Sequence, residues 1–336
     1  LVKGMNNLVL NCDAHDNYDG YSEGDSGNVD GFGGHANKET STGNIFRGCR
    51  AWNNGDDGFD LINCYASYII EYCWSFRNGY KPHSIESSGG NGAGFKSGGY
   101  GMGDIKKVPN PIPQHTVRYC LAYYNRQQGF YSNHHLGGLI FENNTAYKNP
   151  SNYNMLNRKS SNEAVDVPGY GHIIKNNLSL SPRNSGGFPQ HLINVDNTLS
   201  EIKNNSFAPN DLNLSESDFE SLNEQELMGS RKSDGSLPDI NFLRLTNHAN
   251  FRFSGMGCFI NEEAVDYSWI QEPAIVLENG VARIVGEDSK SFNKFYVNGE
   301  EVSIENGIVD LTSMSGELNL KAISENGAVT TLIINK

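Results

Sequence analysis

From Asn53 to Asp60 the chain reads N-N-G-D-D-G-F-D, which places three carboxylates (Asp56, Asp57 and Asp60) within five residues. Like charges that close repel one another unless a cation sits among them. Only oxygen ligands are on offer, which favours a hard ion, calcium (Ca2+) before zinc. The spacing is not that of an EF-hand loop. Alone, the stretch reads as an acidic turn in a chain of formal charge −13. Its place in a repeat gives it a different weight.

One strand pattern recurs along the chain, apolar-x-apolar-x, ending on a small polar or thiol residue. L-V-L-N-Cys12 returns as I-F-R-G-Cys49, I-I-E-Y-Cys73 and T-V-R-Y-Cys120, then as I-F-E-N-Asn144, I-I-K-N-Asn177 and E-I-K-N-Asn205. The seven copies lie 24 to 47 residues apart. A constant strand with variable spacers is the signature of a solenoid whose coils carry loop insertions. A second pattern runs in step: Asp30-Gly31-Phe32-Gly33, Asp57-Gly58-Phe59-Asp60, Ala93-Gly94-Phe95-Lys96 and Gln128-Gly129-Phe130-Tyr131 align without gaps. The expected fold is all-β, a right-handed parallel β-helix. Its phenylalanines stack inside, and its Cys/Asn positions form a second internal ladder.

That alignment turns spacing into position. Equivalent residues on adjacent coils lie about 4.8 Å apart. Asp30 therefore shares a column with Asp57, and Asp60 with Lys96. With the Phe side chains inward, the two-residue period turns Asp60 and Lys96 outward. One external patch then holds Asp30, Asp56, Asp57, Asp60 and one lysine. A surface ion pair contributes about 0–1 kcal/mol, which gives no reason to gather four carboxylates. Calcium, with its 6–8 oxygen ligands, does.

Calcium beside a lysine on a sugar-binding face suits β-elimination of a uronic acid polymer. The C5 proton, α to the carboxylate, is too weakly acidic for an unaided side chain. A cation on that carboxylate stabilises the enolate-like intermediate. A neutral amine can then take the proton, and the C4 oxygen leaves. The cation also reconciles an acidic protein with an acidic substrate.

The motifs D-G-F-G-G-H (30–35), N-G-D-D-G-F-D (54–60) and G-F-K-S-G-G (94–99) resemble those of polysaccharide lyase family 9, the parallel β-helix pectate lyases. The resemblance covers roughly residues 1–250. It implies that Asp30, Asp56, Asp57 and Asp60 form a calcium site and that Lys96 is the Brønsted base. The family includes lyases of homogalacturonan and of rhamnogalacturonan I, and both substrates place the leaving oxygen on C4 of a galacturonate. Arg126, Tyr131, His134 (with His135), Arg158 and Lys159 fall on outward or edge positions and are candidates for contacting substrate. Tyr100 and Trp52 could stack on sugar rings or simply pack.

The remaining sequence bounds this reading. Negative charge argues against nucleic acid or an anionic membrane as partner, and no apolar run is long enough for a membrane span. Six cysteines without a CxxC pair argue against zinc; four of them sit on equivalent rungs and are expected as buried thiols. The chain opens directly on a strand-like L-V-K-G-M-N-N-L-V-L, so further coils and an export signal are expected upstream, as for a secreted enzyme. Coils are expected over residues 1–210, with loop insertions at residues 89–92, 98–103 and 109–113. An acidic, helix-compatible tail follows over 211–269, and a small antiparallel β-sandwich over 270–336, where Asn-Gly turns separate short alternating strands. A monomer is expected. Two other functions compete. A glycoside hydrolase could use Asp56 and Asp57 with a water, leaving Lys96 without a task. A carbohydrate-binding β-helix would keep its function after Lys96→Ala.

Overall fold

The computed structural model describes residues 1–21, 26–100, 108–183, 190–259, 274–278, 280–285, 289–305, 307–325 and 327–336. The chain forms two compact units, Leu1–Arg244 with Met256–Ile260, and Leu245–Gly255 with Asn261–Lys336. Among the described residues no helix is long and apolar enough to cross a membrane.

The first unit is a parallel β-helix. Its seven-stranded sheet is built from the seven repeated segments in chain order: Leu8–Leu10, Asn44–Arg47, Tyr68–Glu71, Thr116–Arg118, Ile140–Glu142, Ile173–Lys175 and Glu201–Lys203. Every pairing is parallel and in the register that the sequence alignment requires, such as Val9↔Phe46 and Val117↔Phe141. The residue before each Cys or Asn turns the chain with positive φ, from Asn11 through Tyr72 and Tyr119 to Asn204. Glycine or asparagine fits this corner at least cost; five of the seven positions carry one of them, and the other two are Tyr72 and Tyr119.

Behind that corner runs the Cys/Asn ladder. Cys49, Cys73 and Cys120 are fully buried; Cys120 N–H donates to Asn144 Oδ1 (3.0 Å), Asn144 Nδ2 to Asn177 Oδ1 (3.1 Å) and Asn177 Nδ2 to Asn205 Oδ1 (2.9 Å). Cys12, expected as a fourth buried thiol, is exposed on the first rung of this chain.

A six-stranded sheet carries the Phe column. Phe32, Phe59, Phe95 and Phe130 stack at 5.0 Å between successive rings, and Tyr153 continues the column at 4.9 Å. Sequence comparison found four rungs here; Ser151–Asn154 and Leu192–Ile193 add two more.

Another six-stranded sheet, Asp13–His15 through Leu178–Leu180, went unread in the sequence. Its trace is a small residue two positions after each ladder residue: Ala14, Ala51, Ser75, Ala122, Ala146 and Ser179. A second ladder closes it, in which Asn54, Asn78, Asn125 and Asn149 bond rung to rung at 2.9 to 3.1 Å. Residues of the tail cross this sheet: Phe242 packs on Tyr123 (5.1 Å), and Arg77 pairs with Glu224 (2.6 Å). Among the described residues of 211–269 the helical elements are two short 3-10 turns, Glu216–Asp218 and Glu224–Met228, and one short α-helix, Asn247–Arg252.

The second unit holds a three-stranded and a four-stranded antiparallel sheet. Both contribute to one core, with Ile275, Ala282 and Val309 from one sheet and Phe295, Leu320 and Ala322 from the other. Its longest strand, Glu317–Ser324, was not anticipated. Part of the expected glycine-rich loop (101–103) and the end of the expected tail (260–269) lie outside the described residues.

Candidate active site

The Phe-column sheet has an outward face, and its residues follow from register. Gly33 pairs with Asp60, Asp60 with Lys96, Lys96 with Tyr131, and Tyr131 with Asn154. Stacked phenylalanines fix which way each neighbour points, so Asp60, Lys96 and Tyr131 line up on successive coils. Gly58 makes that stacking possible: a Cβ there would lie 2.7 Å from the Gly94 carbonyl oxygen.

Carboxylate oxygens of Asp30, Asp57 and Asp60 fall within 4.8 Å of one another. Lys96 Nζ lies 3.1 Å from Asp57 Oδ2 and 3.0 Å from Asp60 Oδ2. The sequence placed these residues on an external patch; the structure buries them. Asp57 is 0% exposed, Asp60 5% and Lys96 8%. The segment after Gly79 folds back over the acidic turn. There Asn91 N–H donates to Asp56 Oδ1 (2.6 Å) and Ala93 N–H to Asp57 Oδ1 (2.7 Å). Asp56 stands beside the three grouped carboxylates, its Oδ1 committed to that backbone donor. Arg126 holds the same segment from outside, donating to the Gly90 carbonyl (2.8 Å).

Burial and crowding dominate the electrostatics. Burial, then the charges of Asp60 and Asp56, push Asp30 up to about 7. Burial also raises Asp56 against the Asn91 donor, and raises Asp57 well above the carboxylate range despite Lys96. Burial pulls Lys96 down, but Asp57 and Asp60 outweigh it and hold the ammonium above its ordinary value. His35 lies at the edge of the cluster; burial lowers it, opposed by Asp60.

These donors suit a hard divalent cation. All are oxygens, three already converge, and the buried Asp57 Oδ2 faces the Lys96 ammonium at 3.1 Å without a well-aligned hydrogen bond. One lysine shared among three grouped carboxylates leaves buried negative charge under-compensated, which is costly in a dry site, and a divalent cation would offset it.

Residues 2–205 match the family model described as "Pel9A-like, right handed beta helix region". The chain belongs to this family. Residues 196–331 match a second model, "Rhamnogalacturonan lyase-like, C-terminal". Pectate lyase L of Dickeya chrysanthemi is 35% identical over 265 residues, covering 79% of this chain and 54% of the relative. Pectate lyase PEL9 of Emericella nidulans is 29% identical over 258 residues, covering 72% and 56%. The chain thus spans about half the length of these curated relatives. A solved structure titled "Rhamnogalacturonan lyase" is 55% identical with a TM-score of 0.70, covering 76% of this chain and 61% of that one. The crystal structure of pectate lyase Pel9A is 32% identical with a TM-score of 0.59, covering 77% and 60%.

The other candidates of this Pel9A-like chain divide into three groups. Tyr131 and His134 lie together, with the tyrosine hydroxyl 2.9 Å from His134 Nε2. Arg158 joins them through Asp166, which sits 3.0 Å from Arg158 Nη1 and 2.7 Å from His134 Nδ1. Lys159 is exposed and pairs instead with Glu163 (2.8 Å). Three residues are packing residues. His135 is fully buried, its Nδ1 accepting the Gly99 N–H (3.1 Å). Trp52 is sandwiched between His15 (4.2 Å) and Phe76 (5.6 Å), and Tyr100 donates to the Cys64 carbonyl (2.8 Å). Sequence reasoning missed Asp166, whose partner His134 lies 32 residues away. It also missed the backbone donors Asn91 and Ala93, since an N–H donor leaves no side-chain signature.

Proposed function

We propose that this chain is the β-helix and C-terminal part of a secreted, calcium-dependent polysaccharide lyase acting on 4-linked galacturonate in a pectic backbone. The observation that carries this reading is Lys96: one buried lysine against two carboxylates of a larger acidic cluster, on the outward column of the coils.

Calcium held by Asp30, Asp57 and Asp60, with Asp56 beside them, would supply positive charge to the substrate carboxylate and offset the carboxylates that keep Lys96 protonated. Lys96, as the neutral amine, takes the C5 proton. The C4–O bond breaks and a 4,5-unsaturated uronate forms at the new end. Burial of the pair keeps water from competing for the base and strengthens each charge interaction. A substrate outside the cell accounts for secretion.

Among pectic backbones, rhamnogalacturonan I is favoured over homogalacturonan. Identity to the structure titled as a rhamnogalacturonan lyase is 55%, against 32% for pectate lyase Pel9A, and the C-terminal match points the same way.

The test is ultraviolet absorbance of the unsaturated product from rhamnogalacturonan I and, separately, polygalacturonate. Each polymer is incubated with calcium, with chelator, and with Lys96→Ala. Calcium-dependent absorbance that falls about 10²–10⁴-fold in the variant is expected, since removing a general base costs that much. New reducing ends without absorbance would mean hydrolysis. Binding without turnover would mean a carbohydrate-binding module.

A further inference from the structure

β-Elimination needs a second group besides the base. As the C4–O bond breaks, the departing oxygen becomes an alkoxide unless something gives it a proton. Lys96 cannot do so while it is receiving the C5 proton, and the carboxylates around it are acceptors. On the next coil the outward column places a phenolic O–H, that of Tyr131, beside the base.

Tyr131 pairs in register with Lys96, so its backbone lies about 4.8 Å away, one rung along the axis. H5 and O4 of a 4-linked galacturonate sit on adjacent ring carbons and opposite ring faces. Base and acid must therefore straddle the sugar, and two neighbouring rungs give two such points. The Tyr131 ring is partly buried, and its hydroxyl lies 2.9 Å from His134 Nε2. That contact is built by the backbone. Asn133 and His134 both adopt positive φ (54° and 57°), and His134 N–H donates to the Leu156 carbonyl (2.9 Å). Two successive non-glycine residues in this region cost energy that the surrounding structure must offset.

The chain of contacts continues. His134 Nδ1 meets Asp166 Oδ1 at 2.7 Å, which fixes the proton on Nδ1 and aims Nε2 at the tyrosine. Asp166 is held by Arg158 Nη1 at 3.0 Å, and Arg158 is 8% exposed and also donates to the Ala164 carbonyl (3.1 Å). Asp166 and Arg158 face each other across one antiparallel hairpin, Asn157–Ser160 with Glu163–Val167. Tyrosine, histidine and carboxylate thus stand in a row that begins beside the base and ends at a half-exposed aspartate.

Resting on the lyase reading, we propose that Tyr131 is the catalytic acid that protonates the departing C4 oxygen, and that His134, oriented by Asp166 and Arg158, resupplies its proton. With His134 protonated, Nε2–H donates to the tyrosine oxygen and frees the phenolic proton for substrate. When the C4–O bond breaks, its electron pair takes that proton, and the His134 Nε2 proton moves to the tyrosine. One proton has passed from C5 to Lys96, and one from His134 to the product. Lys96 returns its proton to water, and His134, 28% exposed at its side chain, takes one back. Burial holds the phenol up to about 12, so it keeps its proton until an alkoxide forms.

The test compares two substrates with the calcium-loaded chain. One is the better pectic polymer. The other is a galacturonide with a 2,4-dinitrophenyl ether at C4, whose leaving group departs without a proton. Tyr131→Phe should lower kcat on the polymer about 10²–10⁴-fold with little change in KM, and leave the activated substrate within several-fold of wild type. His134→Ala keeps the tyrosine and should show a smaller kcat loss on the polymer alone, also at constant KM. Unchanged polymer kcat in Tyr131→Phe would overturn the assignment. So would equal losses on both substrates, which would make Tyr131 a binding or packing residue. If the wild type forms no unsaturated product from either polymer, the lyase reading fails and takes this one with it. Product from wild type with an intact Tyr131→Phe sinks the acid alone.

Discussion

Replacing Lys96 by methionine should make the protein's stability depend on calcium far more than the wild type does. Methionine fills similar volume, so the change is chiefly one of charge. In the native site Nζ stands 3.1 Å from Asp57 and 3.0 Å from Asp60, all three groups nearly inaccessible. At an effective dielectric near 20, each such pair is worth on the order of 4 kcal/mol, much of it offset by the cost of burying the charges. Removing one partner from a buried pair costs about 3–5 kcal/mol, because the other charge is left behind. For a unit of this size that lowers Tm by roughly 10 °C. The full loss should appear in chelator at pH 8, above the value of about 7 to which Asp30 is pushed. In excess calcium a cation again sits among the carboxylates, and most of the loss should vanish. Calorimetry of both proteins, each with chelator and with calcium, reads the effect directly and needs no substrate. A chelator-treated variant melting within a degree or two of wild type would refute the buried ion pair. An equal calcium shift in both proteins would mean that the ion does not bind in this cluster.

Asn125→Leu should cost about 2–6 kcal/mol in urea unfolding, because it leaves at least the buried Asn78 N–H and the Ser75 carbonyl without their partners (3.2 and 3.0 Å); a loss below 1 kcal/mol would mean that the ladder is not energetically important. His135 and His172 accept backbone N–H donors inside the coils, and burial lowers them to about 4 and about 3. The unfolded chain protonates its histidines near 6.5, so the unfolded state binds more protons below that pH and stability must fall as pH drops from 6.5 toward 4, by up to about 3 kcal/mol for His135. Urea midpoints in saturating calcium check this, and a flat profile from pH 7 to pH 4.5 would contradict it. A thiol reagent applied to the native protein should modify Cys12 fast and the five buried cysteines only on unfolding; rapid reaction of several thiols would mean that the Cys ladder is open to solvent.

The coil register was legible because a parallel β-helix writes itself into side chains. Each rung must put an apolar residue inside and a turn residue at the corner, so Phe32, Phe59, Phe95 and Phe130 recur at matching places, and so do the residues from Cys12 to Asn205. From those columns alone, Asp60 had to neighbour Lys96, and it does. The third sheet was harder to read. Its inward residue is a small Ala or Ser rather than a large apolar one, and its strands are only three residues long.

Loops escaped the sequence for a different reason. The burial of Asp56, Asp57 and Lys96 depends on a segment that returns 35 residues later and holds the carboxylates through the N–H groups of Asn91 and Ala93, donors that almost any residue could supply. Asp166 reaches His134 only because a hairpin folds back across the coil. Sequence by itself determined the rungs and therefore which chemical groups share a column, since stacking repeats the same constraint at every coil. Only the tertiary structure decided how dry the column is and which groups stand beside it, since those depend on single long-range backbone contacts that no repeat records.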